Sequence, residues 1–133
     1  MHSLDHELRS YFAHGSFRPH QREVVEAVLA GRSVLAVLPT GSGKSLCYQL
    51  PGLISEGPTV VVSPLLALIQ DQVEALRRMG VAEVHSLTNL QSPEENQAAL
   101  EAIAAGRARF VFAAPERFTM PGLMQALASG RVP

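Results

Sequence analysis

The chain has 133 residues, of which 47% are hydrophobic and 17% are charged, and its formal net charge is −1. This composition excludes an intrinsically disordered chain, which combines low hydrophobicity with high net charge, and the length suits one domain. The net charge gives no bulk electrostatic signal for a polyanionic partner. Lys44 is the only lysine among the 11 basic residues.

The single cysteine, Cys47, excludes an intramolecular disulfide and a zinc site built from several cysteines. We interpret it as a small buried hydrophobic residue. The first ten residues have neither the basic nor the apolar region of a signal peptide. No apolar run approaches the roughly 18 residues of a membrane span. We therefore expect an intracellular protein with no membrane partner.

The first thirty residues are polar at the start and then become amphipathic. Positions 21–30 place apolar residues on one face of a helix, and Gly31 is suited to end it. The members of this face are Val24, Val25, Val28 and Leu29. Beyond the helix, the continuous apolar run Ser33–Leu38 has the length of a buried strand, and Pro58–Ser63 is a second such run.

A helix that ends near Gly80 follows the second predicted strand. Its apolar residues recur at helical spacing, and they are Leu65, Leu68, Ile69, Val73 and Leu76. A third and weaker strand is predicted over Val81–Ser86, directly after this helix.

A capping box marks the next helix. Ser92 is suited to the N-cap and Glu95 to the third helical position, with the preferred proline between them, which predicts a helix that runs to about Ala105. A strand over Arg109–Ala114 and a short helix around Leu123–Ala128 follow. Strands that alternate with helices predict an α/β fold, with a mainly parallel sheet covered by helices on both faces.

The sharpest motif is Leu38–Ser45 (LPTGSGKS), which lies between a predicted strand and a predicted helix and matches the P-loop pattern. Its glycines permit a backbone that turns successive N–H groups toward one phosphate, and the helix start adds positive charge. Lys44 can reach the β- and γ-phosphates, and the Ser45 hydroxyl can ligate Mg²⁺. The predicted ATP-binding residues are Thr40, Gly41, Ser42, Gly43, Lys44 and Ser45, with Lys44 catalytic and Ser45 the Mg²⁺ ligand.

The motif departs from the general P-loop pattern at its first position, which is usually Gly and is Leu38 here. The alternative interpretation is a Gly/Ser turn that happens to contain a lysine. The order of strand, loop and helix favours the P-loop, because that is the context in which the motif binds phosphate.

Four segments resemble successive motifs of the RecQ family of DNA helicases, which belongs to superfamily 2. They are FAHGSFRPHQ (12–21), LPTGSGKSLCYQLPG (38–52), VVSPLLALIQDQV (61–73) and FAAPERF (112–118). In superfamily 2 the first P-loop position is commonly not Gly. The resemblance covers essentially the whole chain and implies a RecA-like P-loop fold of three layers, with movement 3′ to 5′ along single-stranded DNA.

The resemblance also implies an adenine site ahead of the P-loop. Gln21 would read the edge of the adenine, and Arg18 would pack near the base. His14 would stand where a ring stacks on it, although the family often has a tyrosine there and a Gly where this chain has Ala13. Taken alone, this element is an ordinary turn before a helix.

Two further turns resemble motifs that hold the backbone of single-stranded DNA. Ser63, Pro64 and Leu65 precede a helix whose first N–H groups can bind phosphate without reading sequence. Arg117 lies in the second turn and would be a phosphate ligand. Each turn follows the carboxyl end of a predicted strand, where open α/β sheets bind ligands. Taken alone, each is a plain strand-to-helix turn.

ATP hydrolysis by this machinery needs an apolar strand that ends in Asp-Glu. The only aspartates are Asp5, in the polar N-terminal stretch, and Asp71, inside an amphipathic helix. The resemblance implies that the family's Asp-Glu-Ala-His strand would follow Pro133. It also implies that the second RecA-like domain, the zinc-binding region and the winged helix are missing from this chain. We therefore expect the chain alone to hydrolyse no ATP and to unwind no DNA.

These predictions divide the chain into residues 1–30, a helical segment with the adenine element, and residues 31–133, part of the first RecA-like ATP-binding domain. The leading hypothesis is an ATP-dependent helicase that acts on single-stranded or forked DNA in repair and recombination. It would be cytoplasmic and nucleoid-associated in a bacterium, or nuclear in a eukaryote. A non-catalytic nucleotide- or DNA-binding module is the alternative, and a small-molecule kinase would leave the RecQ-like segments at 12–21 and 61–73 unexplained.

Overall fold

The computed structural model describes residues 4–12, 16–38, 44–120 and 122–129. The chain divides into two compact units, one that extends through Ser55 and one that begins at Glu56. The predicted domain boundary after residue 30 stays a prediction.

Three helices build the first unit, namely α1 (Leu4–Tyr11), α2 (Gln21–Leu29) and α3 (Leu46–Ile54). Their apolar residues form a small core of Leu8, Val25, Leu46 and Leu50. We predict a polar N-terminal stretch from the sequence, but Leu8 within it is fully buried because α1 packs on α3. An ion pair between Asp5 and Arg22 also connects α1 to α2.

The predicted amphipathic helix is confirmed as α2, but fewer of its apolar residues are buried than the sequence predicts. Val25 is fully buried, whereas Val28 and Leu29 are about two-fifths exposed, at 41% and 39%. Gly31 follows the helix with φ +80°, a left-handed conformation that favours glycine at a helix end. Only one of the four predicted apolar positions therefore lies deep in the core of this unit.

The prediction of a buried strand at Ser33–Leu38 is wrong for this structure. Residues 32–38 belong to no strand, and Leu35 and Val37 are 92% and 86% exposed. A strand exists only where its N–H and C=O groups pair with a neighbour, and none of the described strands pairs with this segment. The residue types in this segment favour a strand, but they do not determine whether a neighbouring strand is available to pair with it.

The second unit contains a parallel sheet of three strands, β1 (Thr59–Val62), β2 (Val84–Leu87) and β3 (Phe110–Ala113). Their order is β1-β3-β2, so the last strand lies in the middle. Val111 is paired with Val60 on one side and with His85 on the other. All four residues of β3 are buried, as expected for a central parallel strand.

Helices α4 (Leu66–Arg78), α5 (Pro93–Ala104) and α6 (Leu123–Ser129) accompany this sheet, with a 3₁₀ turn at Pro115–Phe118. The crossovers through α4 and α5 run in opposite directions across the sheet. Because such crossovers are right-handed, the two helices lie on opposite faces. The predicted α/β fold with a parallel sheet is confirmed.

The core of the second unit lies between β3 and the pair α5 and α6. Val111 and Ala113 of the central strand belong to this cluster, together with Leu87 of β2. The alternate residues Phe110 and Phe112 are also buried and point to the other face. The remaining members of the cluster are Ala99, Ile103, Ala108, Leu123 and Ala126.

The third strand begins later than predicted. The sequence predicts Val81–Ser86, but β2 begins at Val84. The Val81 N–H closes the end of α4 by donating to the Leu76 carbonyl, and Glu83 has φ +58°. A left-handed residue cannot continue an extended strand, so β2 starts immediately after it.

The capping box is present as predicted. The Glu95 N–H donates to Ser92 Oγ at 3.1 Å, and the Ser92 N–H donates to Glu95 Oε1 at 2.9 Å. The predicted helices that end near Gly80 and begin near Leu123 are likewise confirmed. None of the helices in the described residues combines the length and apolarity needed to cross a bilayer.

Candidate functional site

The predicted phosphate-binding residues that the structure describes lie at the start of α3. Lys44 is exposed, and Ser45 directly precedes the helix. Ser45 has helical φ and ψ, and its side chain makes no cap hydrogen bond. The first turn carries no acidic residue. The helix start is therefore left open to an anion, since its first N–H groups and its dipole both favour negative charge.

The rest of the predicted phosphate loop, Thr40, Gly41, Ser42 and Gly43, lies outside the described residues. His14, the predicted stacking residue, lies outside them as well. Their assigned roles stay predictions.

The donors at this site fit Mg²⁺ only as a metal shared with phosphate. The Ser45 hydroxyl is half-buried and is not used to cap α3, so it can offer one oxygen. Among the described residues, no three His, Cys, Asp or Glu side chains form a group that could hold a metal. Mg²⁺ usually keeps several waters and takes its remaining oxygens from a few protein groups and the substrate phosphates. One hydroxyl beside an open helix start meets that requirement.

The predicted adenine element is built into the turn before α2. Gln21 is only 2% exposed, and its Oε1 accepts a hydrogen bond from the Arg18 N–H at 2.7 Å. Arg18 itself is exposed. The Arg22 guanidinium lies 4.9 Å from the centre of the Phe17 ring, a favourable cation–π contact. Gln21 and Arg18 thus belong to one tightly bonded turn, and their contacts to a base stay predictions.

Two side chains of α3 have their pKa raised by burial. Desolvation raises the pKa of Tyr48 to about 12 and raises the pKa of the Cys47 thiol above its ordinary value. Both therefore remain protonated at neutral pH, because burial disfavours the charged form. Cys47 is buried, which confirms its interpretation as a small hydrophobic residue.

The first predicted DNA-binding turn joins β1 to α4. Ser63 Oγ accepts a hydrogen bond from the Leu65 N–H at 3.1 Å, while Pro64 and Leu65 are exposed. Helix α4 begins without a side-chain cap and has no acidic residue in its first turn. This helix start is therefore also open to an anion.

The second predicted turn follows β3. Ser63 N–H donates to the Ala113 carbonyl, and Ala114 N–H donates to the Leu87 carbonyl, so the ends of all three strands are hydrogen-bonded together. At about 4.8 Å between strands, the row of turns after β1, β3 and β2 spans about 10 Å. The structure thus brings Ser63, Pro64, Leu65 and Arg117 to one edge of the sheet.

Residues 18–127 match the family model of the DEAD/DEAH box helicases. The chain belongs to this helicase family. The match covers most of the described residues of both units, and it confirms the resemblance drawn from the four motifs.

Curated relatives of this helicase chain carry matching names. A probable ATP-dependent DNA helicase RecS of Bacillus subtilis is 39% identical over 129 residues, which is 97% of this chain and 26% of that protein. The ATP-dependent DNA helicase RecQ of a Synechocystis strain is 43% identical over 114 residues, or 86% of this chain and 24% of its own length. The helicase chain thus spans about a quarter of the length of these two relatives.

A solved helicase structure shares the fold. The crystal structure of the DUF1998 helicase MrfA, bound to DNA and AMPPNP, superposes with a TM-score of 0.74 at 26% sequence identity. The alignment covers 95% of this chain and 19% of the MrfA chain. The RecA-like fold implied by the resemblance is thereby confirmed.

Sequence reasoning missed a polar cluster in the second unit of this chain. Thr88 follows β2, is buried, and accepts hydrogen bonds at its carbonyl from both Asn96 and Arg117. The signal that could have revealed it is the polar run TNLQS (88–92) at the carboxyl end of a strand. Asn96 shows no such signal, because it lies in the helix that follows.

Proposed function

We propose that this chain is the ATP-binding part of a DNA helicase motor and that it also holds the backbone of single-stranded DNA. One observation carries the proposal. The only lysine of a chain from the DEAD/DEAH box helicase family stands directly before Ser45, the N-cap of a helix whose positive end is open. The relatives named as ATP-dependent DNA helicases support the same assignment.

In this proposal Lys44 and the start of α3 hold the phosphates of ATP. The lysine ammonium is a mobile point charge that follows phosphate oxygens, and the first N–H groups of the helix fix them. The Ser45 hydroxyl makes no cap hydrogen bond, so it would hold Mg²⁺ bound with the nucleotide, which would neutralise phosphate charge. Gln21 and Arg18 would orient the base.

The DNA would lie along the carboxyl edge of the sheet in the second unit. The open start of α4 supplies N–H donors beside Ser63, and these contact phosphate without reading sequence. Binding at a few turns accounts for a DNA partner despite a net charge of −1. ATP-driven movement, 3′ to 5′ polarity, unwinding and a role in repair are also part of the proposal.

Nucleotide binding tests the role of Lys44. The Lys44→Ala variant should bind a fluorescent ATP analogue at least tenfold more weakly in the presence of Mg²⁺, because it loses a charge-assisted contact of roughly 1.5–3 kcal/mol. Arg9→Ala is the matched control, since it removes an exposed positive charge from α1 in the same unit. Equal affinities of the Lys44→Ala variant and the unaltered chain would overturn the site.

DNA binding tests the start of α4. Leu65 is 61% exposed, so Leu65→Glu should fold normally and place a carboxylate where phosphate is expected. A carboxylate at a helix start interacts favourably with the helix dipole by up to about 1 kcal/mol, so it occupies the site in place of phosphate and repels it. This predicts roughly fivefold weaker binding of a labelled single-stranded oligonucleotide in fluorescence anisotropy. Met124→Glu, at a 56% exposed position of α6, is the control. An equal loss in both variants would contradict a phosphate site at α4.

A further inference from the structure

The carbonyl oxygen of Thr88 joins three elements of the second unit. It accepts a hydrogen bond from Arg117 Nη2 at 3.1 Å and another from Asn96 Nδ2 at 3.2 Å. A carbonyl oxygen has two lone pairs, so these two donors saturate it. We call this arrangement of Thr88, Asn96 and Arg117 the Thr88 junction. It connects the end of β2 with α5 and with the 3₁₀ turn.

Several hydrogen bonds hold the turn that follows the junction. Gln91 Oε1 accepts from both the Thr88 N–H and the Thr88 hydroxyl, at 3.0 and 2.6 Å. The Leu90 N–H donates to Thr88 Oγ1 at 3.1 Å, and Arg117 Nη2 reaches Asn89 Oδ1 at 3.4 Å. The tip of the turn, Asn89 and Leu90, is nevertheless exposed. It is held at the carboxyl edge of the sheet, in the row of turns proposed to meet DNA.

One edge of the Arg117 guanidinium, formed by Nε and Nη2, faces the protein at this junction. Nη2 makes two hydrogen bonds within the protein, and Nε is buried. Bidentate recognition of a phosphate needs two adjacent N–H groups that face the ligand. The edge formed by Nε and Nη2 is therefore closed to phosphate, although Arg117 lies in the row of turns that we propose to contact DNA.

We propose that Arg117 and Asn96 are positioning residues for DNA and act through the tip Asn89–Leu90. This inference rests on the proposed function. The Asn89 amide can donate to a phosphate, because Arg117 bonds its oxygen and leaves its nitrogen directed elsewhere. Leu90, which is 51% exposed, offers an apolar contact to a sugar or base face. A tip fixed before binding loses less conformational entropy when DNA arrives.

The salt dependence of DNA binding separates positioning from direct contact. A lost phosphate contact lowers the slope of log K against log [salt] by about 0.7 for single-stranded DNA. We expect Asn96→Ala, Arg117→Gln and Arg117→Lys each to weaken binding of a labelled oligonucleotide by roughly three- to tenfold, with the slope unchanged. The double variant Asn96→Ala/Arg117→Gln should lose no more than either single variant, because both residues support the same carbonyl.

Arg78→Gln is the control for charge alone, since Arg78 is exposed at the end of α4 and takes no part in the junction. It should leave affinity and slope unchanged. Hydrogen exchange at the Leu90 amide reports the turn itself and should speed up in the Asn96 and Arg117 variants while the amides of β3 keep their protection.

Three results would overturn the inference. A slope that falls in Arg117→Gln but not in Arg117→Lys would show direct phosphate contact and leave the proposed function standing. Unchanged DNA affinity in Asn96→Ala, with faster exchange at Leu90, would show that the turn does not matter for DNA. No binding by the unaltered chain would overturn the proposed DNA function and this inference together.

Discussion

At the scale of single residues, side chains of the same type differ widely in burial. Leu35 lies in one predicted strand, and Leu87 directly follows another. Leu35 is 92% exposed, whereas Leu87 is 1% exposed and packs with α5 and α6. Hydrophobic stabilisation follows the area removed from water, so only Leu87 contributes strongly to the free energy of unfolding.

This difference predicts the effect of truncating each leucine. Leu87→Ala should lower the free energy of unfolding by about 2–5 kcal/mol, because it removes buried methyl groups and leaves a cavity. Leu35→Ala should change it by no more than about 0.5 kcal/mol, as is usual at exposed positions. Urea unfolding followed by circular dichroism measures both. Similar losses in the two variants would show that Leu35 is buried in solution.

At the scale of elements, local signals predicted α5 more completely than any strand. Its start is specified within four residues, by Ser92 and Glu95, and no distant partner is needed. The hydrogen bonds that Glu95 accepts from Ser92 hold the pKa of its carboxyl below the ordinary value. A lowered pKa in the folded state means that ionised Glu95 stabilises the helix.

The pH dependence of stability follows from this shift. The contribution of Glu95 is present above the pKa that it has in the unfolded chain and is lost as the pH falls through its lower folded pKa. The stability difference between the unaltered chain and Glu95→Gln should therefore shrink between pH 7 and pH 3. Glu94→Gln removes a carboxylate from the same first turn and controls for the helix dipole. A difference between the chain and Glu95→Gln that is constant across this range would contradict the role of the ionised carboxyl.

The strands show why the remaining elements were harder to predict. The apolar run 33–38 resembles β3 in composition, but only β3 has a strand on each side. The start of β2 depends on the left-handed backbone conformation of Glu83, and a glutamate in the sequence does not predict that conformation. Pairing partners and single backbone angles are properties of the folded chain.

At the scale of the whole molecule, the chain has only two aspartates. Asp5 is ion-paired to Arg22, and Asp71 is exposed on α4. Hydrolysis in helicase motors needs a carboxylate that holds Mg²⁺ beside the phosphates, and no cluster of metal-binding side chains occurs in the described ranges. We therefore propose that this chain binds ATP and does not hydrolyse it.

We accordingly expect the 133-residue chain to bind Mg²⁺ and ATP without turnover. Phosphate release, measured with and without single-stranded DNA, should equal the rate in buffer, and the Lys44→Ala variant should give the same rate. Steady turnover that disappears in Lys44→Ala would refute this expectation. A turnover that persists in Lys44→Ala would indicate a contaminating ATPase.

The sequence by itself determined the family, the α/β class and the residues proposed to hold phosphate, because these depend on residue type and spacing. Lys44 and Ser45 could be named from a motif of eight residues, and the capping box from four. Only the tertiary structure decided which apolar runs are buried, that β3 lies between β1 and β2, and that Arg117 bonds the carbonyl of Thr88. These features join residues distant in sequence, 29 positions apart for Arg117 and Thr88, and local pattern carries no information about such contacts.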